Sequence, residues 1–259
     1  MAQKTIILIH GFRGTHHGLS LIAERLKGCM AIVPDLPGFA AGDALETHDL
    51  DAYVAWLKTF LEGQTLATPP ILLGHSFGSI ICAAYAEKYP KTIEKLILVN
   101  PIGAPALEGP RGILSKLAVF YYWLGTKLPE KSAHAWLASK TVVNIMSQTM
   151  TKTSDKTLKA FIKNQHLQYF SLFHSPASLA EGFTTSVSHS VRNVAAKITV
   201  PTLLIAGELD DITPLEKQKE LHKLFLHAEL KVIPGVGHLT HYETPDQVAR
   251  YVLGFIKLP

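Results

Sequence analysis

The chain has 259 residues, 47% hydrophobic and 18% charged, with a formal net charge of +4. Such a chain can bury a large core, and its charge is too small to signal nucleic-acid binding. No window approaches the roughly 18 uninterrupted apolar residues of a membrane span. The N-terminal apolar run is too short for a secretory signal, so the expected location is the cytoplasm.

In chain order, the first element is Thr5–His10 (TIILIH), an apolar run that reads as a buried strand and leads into the loop HGFRG, His10–Gly14. A second strand is expected at Ala31–Asp35, followed by the loop PDLPGFAAGDA. Leu50, Val54, Leu57 and Leu61 then recur at helical spacing in LDAYVAWLKTFLE. Pro70–His75 is a third strand and Lys95–Asn100 a fourth. Thr202–Gly207 and Glu229–Gly235 complete the set, and PDQVARYVLGFI closes the chain as a helix. Near-continuous Ile, Leu and Val in these runs suits strands covered on both faces. Strands alternating with helices imply a doubly wound, mostly parallel α/β sheet of about six strands. Ligands of such sheets sit beyond the carboxyl ends of the strands.

The alternation breaks after the fourth strand. From Pro101 to about Ala196 only helical windows occur, among them LSKLAVFYYWLG and LKAFIKNQHLQYFSLF. The expected organisation is one domain, 1–259, with a helical insertion at about 101–176 that starts in the Pro/Gly-rich stretch NPIGAPALEGPRG. Residues 101–165 carry nine Lys and Arg against three Asp and Glu. The insertion is also rich in aromatic residues, which divide between its own core and a pocket-facing set.

The most specific local signal is Gly74-His75-Ser76-Phe77-Gly78, lodged between the third strand and a helical window, SIICAAYAEKY. A serine in this context stands on a sharp turn with its hydroxyl thrust out at the sheet edge. Side chains at the two glycine positions would collide with the neighbouring strand and helix. The same glycines would also serve a plain strand-to-helix turn. What favours an exposed serine is the strand on one side and the helix on the other.

Three further loops fall at strand ends: HGFRG, GELDDITP (Gly207–Pro214) and GVGHLTHYETP (Gly235–Pro245). With these four motifs in order, the chain resembles the α/β-hydrolase superfamily, in particular its esterase-like branch with a helical cap. The resemblance implies Ser76 as nucleophile, His238 as general base and Asp210 as the acid that orients the imidazole. It also implies an oxyanion hole from the backbone N–H groups of Phe12 and Phe77. Between the adjacent carboxylates, the family spacing of three residues after Gly207 selects Asp210. Thr213 and Pro214 further read as the N-cap and first position of a helix, which leaves Asp211 facing solvent. The chain begins at what would be the family's third strand, so a six-stranded, all-parallel sheet is expected. Ser79 stands where a further glycine is common. Ala40 and Ala41 replace a usual glycine and polar residue.

Further pocket candidates are His10 and His75, as hydrogen-bonding floor residues, then Arg13, Tyr121, Tyr122 and Trp123. Arg13 could meet a substrate carboxylate or be a solvated or salt-bridged loop residue. Neither the adjacent His16 and His17 nor the pair His238 and His241 completes a metal site, so no metal and no cofactor are expected. The reading is a serine hydrolase, a carboxylesterase of small to medium hydrophobic esters, acting as a monomer or homodimer without nucleic-acid or membrane-spanning partners. Two alternatives stay open: carbon–carbon bond hydrolysis or a lyase reaction on the same triad, and a ligand receptor built on the hydrolase pocket.

Overall fold

The computed structural model describes residues 3–104 and 112–256, with the side chains of 112–116 outside that description. Residues 105–111, most of the Pro/Gly-rich start of the insertion, lie outside it too. Six strands form one sheet: β1 (Thr5–Ile9), β2 (Met30–Ile32), β3 (Ile71–His75), β4 (Lys95–Val99), β5 (Thr202–Gly207) and β6 (Ala228–Ile233). Their order is β2-β1-β3-β4-β5-β6, and every pairing is parallel. All residues of β1, β3, β4 and β5 are buried, which explains their unbroken apolar runs. The edge strands β2 and β6 are shorter or alternate in exposure.

Helices cover both faces. α1 (His16–Ala23), α2 (Leu50–Glu62) and α3 (Phe77–Lys88) follow the first three strands. α2 spans the window that the periodicity predicts. Its Asp49 side chain accepts the Ala52 N–H, filling one of the orphan donors of the first turn. α2 and α3 pack one apolar layer against the sheet, with Tyr53, Leu57, Ile81 and Leu96 in its core. The opposite layer joins α1 to the C-terminal helix through Leu19, Ile22, Val248 and Val252.

Among the described residues, five α-helices run between β4 and β5: α4 (Gly112–Lys127), α5 (Glu130–Leu137), α6 (Lys140–Met150), α7 (Lys156–Tyr169) and α8 (Pro176–Ser188). Ser175 starts α8 with a capping box closed by Ser178. An isolated β-bridge, Phe39 to Phe173, ties this segment to the loop after β2, with the Ala40 N–H on the Leu172 carbonyl and the His174 N–H on the Gly38 carbonyl, both at 2.9 Å. After β5 come α9 (Leu215–His222), α10 (Thr240–Glu243) and α11 (Pro245–Ile256). α9 begins at Leu215, with Pro214 rather than Thr213 at its N-cap. The Thr213 hydroxyl bonds the Asp210 carboxylate instead.

α4, α5 and α8 join the main core through Tyr122, Leu137 and Leu179, and α7 packs on α10 through Ile162 and Tyr242. His166 of α7 is fully buried, and neither ring nitrogen has a hydrogen-bond partner. Its ring lies 4.1 Å from Phe170 and 5.6 Å from Tyr242 of α10. Burial lowers its pKa from the ordinary 6.5 to about 4.

Two outcomes follow from this packing. Leu98, wholly buried in β4, should cost about 2–5 kcal/mol when cut to Ala. Leu226, 60% exposed, should cost less than about 0.5 kcal/mol for the same change. Urea unfolding measures both. The unfolded chain protonates His166 near 6.5, but the folded chain resists until about 4. Its contribution to stability is therefore full above pH 6.5 and lost as pH falls toward 4, at about 1.4 kcal/mol per pH unit. His166→Leu should make the acid-side decline in unfolding free energy shallower by about one proton. An unchanged slope between pH 6.5 and 4.5 would contradict this.

Candidate active site

The carboxyl edge of the sheet is where the backbone is most strained. Four non-glycine residues have positive φ among the described residues: Arg13, Ala40, Ser76 and Asn100. Two of them, Ser76 and Asn100, directly follow the ends of β3 and β4, and Arg13 lies in the loop after β1. Ser76, at φ 52°, is the single residue between β3 and α3. The reason for the flanking glycines is steric. A Cβ on Gly74 would sit 2.4 Å from the Gly78 carbonyl oxygen, and a Cβ on Gly78 would sit 2.2 Å from that of Ile9. α3 can start this close to β1 and β3 only without those side chains. Phe77 is the first residue of α3, so its N–H belongs to the turn that has no intrahelical acceptor.

Ser76 Oγ lies 2.9 Å from His238 Nε2, and His238 Nδ1 lies 2.8 Å from Asp210 Oδ2. His238 is in the loop between β6 and α10, and Asp210 in the loop between β5 and α9. Asp210 is buried, and its carboxylate is saturated with donors. Oδ1 accepts the Ile212 and Thr213 N–H groups at 2.8 and 2.9 Å. Oδ2 also accepts Asn100 Nδ2 at 2.6 Å and the Thr213 hydroxyl at 2.5 Å. Burial penalises the ionised form, but His238 and these hydrogen bonds outweigh it and hold the carboxyl well below the usual carboxylate range. Asp211 points elsewhere and pairs with Lys152.

Asn100, which no motif assigned a role, spans three loops. Besides Asp210 it reaches the Gly237 carbonyl at 3.4 Å, and its Oδ1 accepts the Thr240 hydroxyl at 2.7 Å. Its local signal is a polar residue before Pro101 at a strand end, which marks a turn but not a hydrogen-bond partner. Ser79 is likewise in use. It donates to the Ser76 carbonyl and accepts the Ile102 N–H at 3.1 Å, so the serine links α3 to the loop after β4.

His10 accepts the Leu36 N–H at Nε2, 2.9 Å away, so Nδ1 is the nitrogen that donates to the Gly11 carbonyl. Burial holds His10 near a pKa of about 4. His75 donates to the His238 carbonyl at 3.2 Å. Burial, then the neighbouring His238, takes its pKa to about 3. His241, its ring tilted 59° to that of His75 with centroids 4.3 Å apart, is held well below 6.5, chiefly by burial. Burial therefore favours the neutral form of His10, His75 and His241, and the cavity beside Ser76 also carries the hydroxyl groups of Thr15, Ser186 and Thr213.

Ser76 and His238 face a cavity of about 490 Å³. Its floor includes His10, Phe12 and His75, and its walls include Met146, Met150, Phe170, Phe183 and Leu239. Arg13, Tyr121, Tyr122 and Trp123 do not line it. Consecutive helical residues fan out by about 100° each, so Tyr121–Trp123 cannot share one face. Tyr122 is buried behind Phe12, Tyr121 packs on Trp136, and Trp123 is half exposed. Among the described side chains of α4, the one that reaches the cavity is Ala118. Arg13 is buried, with only 1% exposure, and its donors are taken by carbonyls. Among the described residues no three His, Cys, Asp or Glu side chains converge to hold a metal ion, and no helix is long and apolar enough to cross a membrane.

Residues 4–245 match the model of the α/β-hydrolase fold family. Lipase 1 of Psychrobacter immobilis is 26% identical over 261 residues, covering 96% of this chain and 75% of that protein. Among solved structures, a thermophilic esterase of Thermogutta terrifontis superposes with a TM-score of 0.79 at 20% identity, covering 99% of this chain and 90% of that one. An esterase from Exiguobacterium antarcticum gives 0.80 at 18% identity, covering 99% and 92%. With a family model matched along nearly its whole length and lipase-like and esterase-like relatives around it, the chain belongs to the α/β-hydrolase fold family.

Proposed function

We propose that the protein is a serine carboxylesterase that cleaves small to medium hydrophobic esters through an acyl-enzyme on Ser76. The observation that carries this reading is the hydrogen-bonded line Ser76 Oγ–His238–Asp210, at 2.9 and 2.8 Å, on the floor of a largely apolar cavity. A serine hydroxyl is nearly inert alone, and a base within hydrogen-bond reach is what activates it. In the proposed cycle His238 Nε2 takes the Ser76 proton as Oγ attacks the ester carbonyl carbon. Asp210, ionised by its donor shell, stabilises the imidazolium and fixes the tautomer with Nε2 free. The N–H groups of Phe77 and Phe12 receive the oxyanion. His238 then protonates the leaving alkoxide, and the acyl-enzyme remains. Water, deprotonated by His238, attacks the acyl carbon, releases the acid and returns the proton to Ser76.

The cavity supports this substrate class. Its walls offer thioether, aromatic and aliphatic surface, and neutral histidines give no attraction for an anion. Its volume is in the range of small-molecule sites. In this reading α4–α8 form a cap over the cavity, since α4, α6, α7 and α8 each contribute wall residues.

A fluorophosphonate should label one serine, and Ser76→Ala should abolish both labelling and p-nitrophenyl ester turnover while leaving the fold intact. Near-native turnover in Ser76→Ala would remove the nucleophile assignment. A panel of acyl chains from acetate to laurate should show a maximum at short to medium length. Labelling without turnover of any ester would favour a receptor or a different bond. Asp210→Asn should lose about a hundredfold or more in turnover, and Asp211→Asn less than about tenfold, because only the former disturbs the imidazole tautomer. A larger loss in Asp211→Asn would reverse the assignment of the acid.

A further inference from the structure

Arg13 is an unusual residue to bury. It follows Phe12 in a turn closed by the Gly14 N–H on the Gly11 carbonyl at 2.9 Å. Its φ of 59° lies in the left-handed region, which only some types of such turn take at the third residue. Glycine adopts it freely, whereas an arginine there pays about 1–2 kcal/mol. The side chain is also wholly buried, and among the described residues no carboxylate pairs with it.

Its partners are oxygens of the segment between β4 and β5. Nε donates to the Phe170 carbonyl at 2.8 Å, one Nη to the Leu137 carbonyl at 2.6 Å and the other to the Tyr122 hydroxyl at 3.3 Å. Leu137 is the last residue of α5, and Phe170 is the C-cap of α7. Both carbonyls belong to helix ends that lack intrahelical donors and carry partial negative charge. The Phe173 ring lies 5.9 Å from the guanidinium carbon. A buried cation is costly unless its donors find acceptors, and here two helix ends and a tyrosine take three of its five N–H groups. Tyr122 completes the link, because its ring also packs on Phe12 at 5.6 Å.

We propose that Arg13 is a positioning residue: its guanidinium, gripped by the ends of α5 and α7 and by Tyr122, fixes the Gly11–Gly14 turn and hence the Phe12 N–H, so that the oxyanion site forms only while these helices are docked. If the helices lift, the guanidinium loses all three acceptors and turns to water, and the strained turn relaxes with it. Docking of the segment and competence of the oxyanion site are then one event. This rests on the acyl-enzyme reading, because it assigns a job to the Phe12 N–H in that chemistry.

The test uses Arg13→Met, which keeps the stem without donors, Arg13→Lys, which keeps the charge without the fork, and Tyr122→Phe, which removes the longest bond alone. Turnover of p-nitrophenyl butyrate is expressed per Ser76 labelled by a fluorophosphonate, which corrects for unfolded protein. In Arg13→Met, kcat should fall about ten- to a hundredfold with KM within about threefold, as for a misplaced oxyanion donor. The Ki of a trifluoromethyl ketone, whose hemiketal oxygen occupies the oxyanion site, should rise by the same factor. Arg13→Lys should fall between, and Tyr122→Phe should lose about two- to fivefold. A kcat per labelled site within about twofold of the parent in every variant that folds, even with a lowered Tm, would make Arg13 only a structural staple and overturn the proposal. A raised KM at constant kcat would overturn it too, in favour of a substrate contact. Parent protein that takes up no fluorophosphonate would overturn the acyl-enzyme reading itself, and this proposal with it.

Discussion

The buried carboxylate of Asp210 is the constraint on which the carboxyl edge of this molecule depends. An ionised group without water must have its lone pairs filled, or the fold loses several kcal/mol. Five donors do so, from Asn100 after β4, from Ile212 and Thr213 in its own loop, and from His238 after β6. Three loops from three strands are thereby held to one atom pair. Asn100 carries the arrangement further, because its remaining contacts tie in Gly237 and Thr240. The left-handed backbone at Asn100 is strain that this network compensates.

Around that charge, burial favours the neutral form of three histidines. Burial alone would drive an imidazole to give up its proton, and His10, His75 and His241 have followed that course. Their hydrogen bonds fix orientation: His10 grips the loop after β2, and His75 grips the backbone of His238. A low-dielectric surrounding strengthens whatever electrostatic interactions remain there. It also suits the hydrocarbon walls of the cavity to an uncharged substrate, as the esterase reading requires.

The second shared device is position on the sheet. In parallel order, six strands deliver all their following loops to one edge, which is how residues as far apart as Arg13, Ser76, Asn100, Asp210 and His238 come within one neighbourhood. The helices between β4 and β5 are held to that edge from outside, through Arg13 and through the packing of His166 on α10. The contacts differ in kind. One is a cation on helix ends and the other an apolar contact made by a neutral imidazole, so they respond to different perturbations.

Much of this was open to reading in the chain itself, for reasons that are local. Buried parallel strands need unbroken apolar runs, so β1, β3, β4 and β5 stand out in composition, and the period of α2 is set by its one buried face. The Gly-x-Ser-x-Gly spacing is dictated by clearances of a few ångströms between adjacent elements, and the order of strand-end motifs follows from a parallel sheet. Which residues meet across the fold was decided elsewhere. Thr213 looks like a helix cap because local pattern favours threonine before proline, yet the nearby carboxylate claims its hydroxyl. Arg13 looks like a free loop cation because its acceptors are backbone carbonyls 124 and 157 residues away, and carbonyls leave no mark in a sequence. Tyr121, Tyr122 and Trp123 form a conspicuous aromatic run, but the helix spreads them over different directions and docking alone chooses which one is buried. Sequence determines what each segment does with its own neighbours. Only the tertiary structure determines which buried polar atoms must satisfy one another, because that pairing is a property of the closed core.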